Sequence, residues 1–456
     1  MTQNQKRFGL YFISMITAYG LGNIWRFPYL VFEYGKGSFL LIFCLLCFFI
    51  GVPLIVTEVL LGKSIQDREY ESSSHLLKGV FQKSHFSILW WFPSIISVLV
   101  MSYYTLISCW ILHYISRLFF AQITKTGFTT DVVFLDLMNR PVLLILLCSV
   151  HVLIIYLFLN KGEKLKYKSW TTAVIPLLTI MMGYIAYRYF TTEDLFETAK
   201  TLLYPNFLML KKESLNYALG QMLFTLSLGF GTLMGLGKHL NSEVSSTALA
   251  SRLGLTDTLI SILLLAAIFP MVLNTEFQGS GSEILFYVIP GYFSEHGLKL
   301  FTAFSLYILI YLCSLTASLG LAESVSSNIY ESSKLSKRKS HVISCLFVFI
   351  MSAIFVSLAE FSHVLDMTQY GFKTKTLNVS QVVVLIDDIL INFLLPISVI
   401  VGLQAALIKL DKAYVKEEFA INEGVKTWPY YLYWKFVIRI GFPLIFLFSI
   451  FLRFSL

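Results

Sequence analysis

The sequence predicts an all-α membrane protein of about eleven transmembrane helices, and three observations carry that prediction. Of its 456 residues, 56% are hydrophobic and only 14% are charged, an oilier balance than soluble domains show. Apolar runs such as "FLLIFCLLCFFIGVPLIV", "VLLILLCSVHVLIIYLFL" and "FPLIFLFSIFL" recur along the chain. They approach or reach the ~20 residues that cross ~30 Å of hydrocarbon. Finally, two spans carry a glycine-rich interruption, and each stands first in a set of five.

Taken in order, hydropathy and breaker residues centre the spans near residues 21, 50, 103, 150, 180, 228, 265, 312, 350, 394 and 441. The first apolar segment lacks a small-residue cleavage site, so it reads as a retained span and not a secretory signal. Lys6 and Arg7 precede it, and further basic clusters mark alternate loops: Lys63, Arg68, Lys78 and Lys83; Lys161, Lys164, Lys166 and Lys168; Lys334, Lys337, Arg338 and Lys339; Lys409, Lys412 and Lys416. Basic loops stay in the cytoplasm. The amino terminus is therefore expected inside a cell (inner) membrane and, with an odd span count, the carboxyl terminus outside. The net charge of +8 is a topology signal, and no nucleic-acid partner is expected. Residues 275–297 contain no lysine or arginine and are expected to fold back as a lid over an external vestibule.

Four of the six cysteines (Cys44, Cys47, Cys148, Cys345) lie in strongly apolar runs and Cys109 and Cys313 in further spans, so no disulfide framework is expected. The eight histidines lack paired ligand spacing.

The interruptions are the informative feature. The first lies in "AYGLGNIWRFPYLV", residues 18–31, the second in "ALGQMLFTLSLGFGTLMGL", residues 218–236. In hydrocarbon a bare backbone N–H or C=O costs several kcal/mol, so a broken helix persists where something binds it. Unwinding from Ala18 to Asn23 frees carbonyls for a small cation and exposes N–H groups near Leu21 and Gly22 that suit a carboxylate. Gly20 and Gly22 also permit close helix packing. Asn23 and Arg26 favour a functional pathway, since charge within a span usually marks one; an arginine that snorkels to the interface is the alternative. Two five-span units face opposite ways across the membrane, so one break per unit points to an inverted repeat with a site at mid-depth.

"GLGNIWRFPY", "GVPLIVTEVLLG", "SYYTLISCW" and "GQMLFTLSLGFG", followed by "SLTASLGLAE" and "IDDILINFLLPISV", resemble the neurotransmitter:sodium symporter family, most closely its shorter prokaryotic amino-acid transporters, over nearly the whole chain. The resemblance implies a single transporter domain over residues 1–456, with a first five-helix repeat in 1–190, a second in 191–410 and an additional helix in 411–456. It implies a first sodium site from the Ala18 carbonyl, Asn23, Thr225 and Asp257, completed by the substrate's own carboxylate. Ion and substrate are then mutual ligands, which is coupling in the thermodynamic sense.

By the same resemblance Tyr104 holds the substrate carboxylate, although an aromatic packed between helices is the plain alternative. Phe224 covers the pocket, and Arg26 and Asp387, with Gln221 beside them, close an outer gate. The side-chain pocket is implied to be lined by Thr17, Val100, Phe224, Ser227, Phe230, Ala317 and Leu321. Gly20 stands where monoamine carriers place an aspartate, which leaves room for the carboxylate of a neutral, hydrophobic or aromatic amino acid. A second sodium site draws on carbonyls at Ile16, Tyr19 and Cys313 and the Thr316 hydroxyl; Ala317 replaces a second hydroxyl, so Ser318 or water is needed.

Other departures are informative. Asp257 stands where chloride-dependent members are neutral, and Phe43 replaces a tyrosine that helps bind the anion. A fixed carboxylate performs the same electrostatic task, so chloride-independent transport is expected; the alternative is a helix cap. An emptied site leaves that acid without its cation, and a proton is expected to accompany the return step. Glu331 is expected to pair with Lys6 or Arg7 at an intracellular gate. Gly162 and Pro176, assigned to the fifth span, lie far apart for an unwinding role. A ~100 mV potential supplies about 2.3 kcal/mol per charge and a tenfold sodium gradient about 1.4, enough for one ion to drive several-hundred-fold accumulation. A non-cycling amino-acid sensor is the second reading. An enzyme is not expected, because no nucleophile with a base is evident.

Overall fold

The computed structural model describes residues 20–66, 91–124, 130–165, 167–238, 240, 244–274, 281–295, 299–333, 335–362, 377–410, 412–420 and 427–455, and they are overwhelmingly helical. Among the described residues, helices occupy the eleven expected positions. They are α1 (Gly22–Arg26, then Phe27–Glu33), α2 (Gly37–Leu46, Cys47–Gly51 and Val52–Gln66), α3 (Phe92–Thr124), α4 (Pro141–Leu165) and α5 (Tyr167–Tyr189). The second set is α6a (Ser214–Thr225) with α6b (Thr232–Lys238), α7 (Ser246–Asn274), α8 (Leu300–Ser332), α9 (Lys337–Ser362) and α10 (Val379–Ile389, Leu390–Leu394 and Leu395–Lys409). Last comes α11 (Thr427–Phe436, Val437–Gly441 and Phe442–Phe454). Among the described residues, eight helices are long and apolar enough to cross a membrane unbroken: α2, α3, α4, α7, α8, α9, α10 and α11.

Exposed leucines and phenylalanines such as Phe49, Leu146, Leu263 and Phe448 ring the outside, as a bilayer in place of water allows. The described helices associate in two groups. In one, α8 packs along α3 and α9 against α4, with further contacts between α3 and α4 and between α8 and α9. In the other, α6b lies against α2, and α7 against α1 and α2. The α2–α6b approach is close because both sides are glycine: a Cβ on Gly62 would lie 2.2 Å from the Met234 carbonyl oxygen, and one on Gly237 would lie 2.3 Å from that of Val59. Small residues that let backbones touch are how helices associate in lipid.

The α6 break is present, and of the expected α1 break only the end lies in described residues. In α6 the helix stops after Thr225 and resumes at Thr232, and the six intervening residues include Ser227, Gly229 and Gly231 at φ of 55°, 83° and 76°. That left-handed run ends a right-handed helix. In α1 the described chain is non-helical only at Gly20; Leu21 is already helical, and Gly22–Arg26 form a wide π-helical turn. The unwound stretch therefore ends three residues before the expected Asn23, because a π turn retains backbone bonds while re-aiming side chains.

Two further expectations need comment. Gly162 belongs to α4, which continues through Leu165, and only Pro176 lies in α5; helical bonding runs past the apolar run into the lysine cluster. Of the expected lid, residues 281–295 are described. They form a short 3-10 turn, Gly281–Leu285, and a helix, Val288–Glu295. The segment folds back onto the bundle: Tyr114 donates to the Phe286 carbonyl at 3.0 Å, and a Cβ on Gly281 would meet the Tyr29 ring at 2.9 Å.

Candidate functional site

A continuous line of polar side chains runs through the group that contains the breaks. At one end Arg26, 2% exposed, donates through Nε to Asp387 Oδ2 at 2.7 Å. Its Nη1 donates to Gln221 Oε1 at 2.6 Å, and Nη2 to Asn392 Oδ1 at 3.1 Å. All three acceptors come from other spans, so this arginine ties α1 to α6a and α10. Gln221 passes the line on, donating through Nε2 to Asn23 Oδ1 at 3.1 Å. Asn23 Nδ2 donates to Thr225 Oγ1 at 2.9 Å, and Thr225 donates to Asp257 Oδ2 at 2.8 Å.

The line is built from the local structure of the breaks. Asn23 and Arg26 lie within one π-helical turn, and Gln221 and Thr225 are one α-helical turn apart on α6a, hence on one face. Asp257 sits in mid-helix on α7, well past its start at Ser246, so its carboxylate is not a cap. Its Oδ1 is buried and has no partner among the described side chains. A bare buried carboxylate oxygen is costly, and together with the Asn23 and Thr225 oxygens it offers the hard donors that suit a small hard cation.

On the other side of α1 the Gly22 N–H donates to the Tyr104 hydroxyl at 3.1 Å. The amide and the hydroxyl expected to meet one carboxylate thus face each other from α1 and α3. Phe224 closes over them. A Cβ on Gly22 would lie 2.3 Å from its ring, and the ring centroid is 5.9 Å from that of Tyr104 and 6.2 Å from that of Phe230. Val100 lies one turn before Tyr104 on α3 and is buried, while Ala317 and Leu321 are half-buried or better shielded on α8, which packs along α3. Ser227 sits in the α6 break, where its carbonyl accepts from Thr232 at 3.1 Å.

Thr17, Ala18, Ile16 and Tyr19 lie outside the described residues, as do Lys6, Arg7 and the side chain of Glu331. Of the residues expected at a second cation site, Cys313 is buried, and the Thr316 hydroxyl donates back to the Leu312 carbonyl at 2.8 Å. Ser318 is fully buried with an unpartnered hydroxyl. Phe43 is also buried, its ring centroid 4.5 Å from that of Phe27.

Several polar residues at the breaks escape sequence reasoning. Glu58 of α2 accepts the Gly229 N–H at 2.7 Å, and Ser398 of α10 donates to the Gly229 carbonyl at 2.6 Å, so both backbone groups freed at that glycine are satisfied. Asn392 and Asp388 back the Arg26 cluster. A charged residue inside an apolar run is the signal that could have found Glu58.

The profile of the sodium:neurotransmitter symporter family matches residues 3–131, which span α1, α2 and α3. A sodium-dependent transporter of Haemophilus influenzae, itself uncharacterized, is 28% identical over 74% of this chain and 75% of its own length. Over α1, α2 and α3 the chain is similar to the sodium:neurotransmitter symporter family. A sodium-dependent transporter of Bacillus subtilis is 27% identical over 84% of this chain and 85% of that one. The crystal structure of MhsT in complex with L-phenylalanine superposes with a TM-score of 0.82 at 20% identity, covering 98% of both chains, and so shares the fold. With that fold and its apolar helices, the protein is a multi-pass membrane protein.

Proposed function

We propose that this protein is a symporter that imports a neutral, hydrophobic or aromatic amino acid together with sodium, by alternating access and without chloride. The observation that carries the reading is the Gly22 N–H beside the Tyr104 hydroxyl, separated only by the π turn of α1 from the Asn23, Thr225 and Asp257 oxygens. An amino-acid carboxylate between them ligates a cation on one side and meets an N–H and an O–H on the other.

Asn23, Thr225, Asp257 and the Ala18 carbonyl hold the first sodium ion in this reading. A second ion, where present, uses Ile16, Tyr19, Cys313 and Thr316. Asp257 supplies the negative charge that chloride supplies elsewhere, and the apolar Phe43 supports that assignment. The substrate side chain lies among Val100, Phe224, Phe230, Ala317 and Leu321, an apolar and aromatic lining. MhsT bound to L-phenylalanine supports the same substrate class.

Alternating access follows from coupling. Arg26, Gln221 and Asn23 form one line, so a cation at Asn23 pulls on the partner that Gln221 offers Arg26. Arg26, Asp387 and Gln221 then close the outer gate once both cargoes are in place. The five-plus-five arrangement, 1–190 and 191–410, lets one set rock against the other with the amino terminus in the cytoplasm.

The test is uptake into proteoliposomes. L-phenylalanine and L-leucine are expected to accumulate with an inward sodium gradient, fail to do so in choline, and be unaffected when gluconate replaces chloride. Loss of uptake in gluconate rejects the carboxylate's role, and equal uptake in choline rejects the symporter. Sodium-dependent binding without uptake selects a sensor.

A further inference from the structure

Arg453, two residues beyond Phe451 near the end of α11, lies outside the polar line yet is anchored on it. Its Nη2 donates to Asp388 Oδ2 at 2.6 Å and its Nη1 to Asp388 Oδ1 at 3.1 Å, a two-point pair that fixes the carboxylate's plane. The same Nη1 reaches Asn216 Oδ1 at 2.9 Å on α6a. The guanidinium is also packed on aromatic faces, with its carbon 4.8 Å from the Phe393 centroid and 5.1 Å from that of Tyr217.

Asp388 hands this order inward. Its Oδ1 accepts from Asn392 Nδ2 at 2.7 Å, one turn along α10. With its amide nitrogen held there, Asn392 must present its oxygen to the opposite side, where Arg26 Nη2 lies 3.1 Å away. Gly220 leaves that oxygen its room: a Cβ there would lie 2.2 Å from the Asn392 oxygen. The orientation of the third acceptor of Arg26 is therefore set by an ion pair to the last helix.

We propose that Arg453 is a positioning residue for the outer gate: through Asp388 and Asn392 it pre-orients the amide that receives Arg26, so α11 sets how readily the gate opens. The proposal rests on the gate reading of Arg26 given above. It gives α11 a role, although α11 contributes nothing to the line from Asp387 to Asp257.

The test is hydrogen–deuterium exchange of the purified protein in sodium without amino acid. Arg453→Gln is expected to raise exchange about tenfold in residues 20–33 and 379–394, an opening shifted by ~1.4 kcal/mol. Arg453→Lys keeps a cation over the rings but loses the two-point fork; a smaller rise in the same segments is expected, and this variant carries the test where the glutamine variant does not purify. Asn392→Ala alone should match Arg453→Gln, and the double variant should exceed neither, since both act on one link. The proposal is overturned if exchange rises only within residues 442–455, as for a merely structural anchor, or if the two effects multiply. Exchange needs no uptake, so a wild type without sodium-driven uptake rejects the symporter reading and leaves this coupling readable. A transporting wild type whose variants leave residues 20–33 unchanged rejects the coupling alone.

Discussion

Within α3, α4, α8 and α9, buried hydroxyls mostly bond back along their own helix: Ser102 to Val98, Thr105 to Met101, Ser108 to Tyr104 and Thr316 to Leu312. In α1, α2, α6, α7 and α10 hydroxyls such as Thr57 and Thr258 do the same, but the residues around the breaks bond across between helices: Arg26 to Asp387 and Gln221, Asn23 to Thr225, Thr225 to Asp257 and Gly229 to Glu58. Charge follows the same division. Among the described residues the buried aspartate, glutamate, lysine and arginine side chains are Arg26, Glu58, Lys63, Asp257, Asp387 and Glu418, and none lies on α3, α4, α8 or α9, which bury the histidines His113, His151 and His341 instead. A self-satisfied helix moves as a unit without exposing a polar group. One whose partners lie across an interface changes partners when a ligand arrives, and that is where differential affinity between two states is available.

Asp257 offers the largest test of this division. Asp257→Asn keeps the shape and the bond from Thr225 but removes the charge, and a carboxylate near an ion in low dielectric counts for several kcal/mol. Half-maximal sodium for phenylalanine uptake is expected to rise about 100-fold, the equivalent of ~2.7 kcal/mol. A sodium titration showing no change would move the ion away from the α6 break.

Much of this was legible in the residues themselves. Two glycine-rich breaks and the charges beside them mark α1 and α6 because hydrocarbon tolerates neither bare backbone nor isolated charge. Asn23, Thr225 and Asp257, which the resemblance groups, lie within hydrogen-bond reach of one another in series. The supports were not legible. Glu58 finds Gly229 171 positions away, and Arg453 finds Asp388 65 positions away; such pairings leave no periodic trace. Gly162 was misplaced for a local reason: a helix does not stop where hydropathy stops, and α4 carries its hydrogen bonds into a lysine-rich turn. The π turn of α1 was hidden as well, because glycine followed by asparagine reads equally as unwinding.

Glu58 gives a smaller effect on the crossing side. Glu58→Ala strips the Gly229 N–H of its acceptor in a buried site, a loss of ~1–3 kcal/mol, and uptake of phenylalanine should fall about tenfold. Glu58→Gln retains an oxygen acceptor and should recover most of that activity. If both variants fall equally, charge and not the hydrogen bond is what the α6 break requires of this residue.

The smallest effect is expected on the other side of the division. Ser352 donates to the Val348 carbonyl on its own helix at 2.8 Å and to the Ser102 carbonyl at 2.9 Å. Ser352→Ala removes one donor but strands no charge, and both carbonyls keep their helical places, so ~0.5–1.5 kcal/mol of stability is at stake. A small fall in the melting temperature is expected, with half-maximal sodium and phenylalanine unchanged. A shift in sodium dependence from this substitution would mean that α3 and α9 also exchange partners during the cycle, and the contrast between self-satisfied and crossing helices would then describe packing alone.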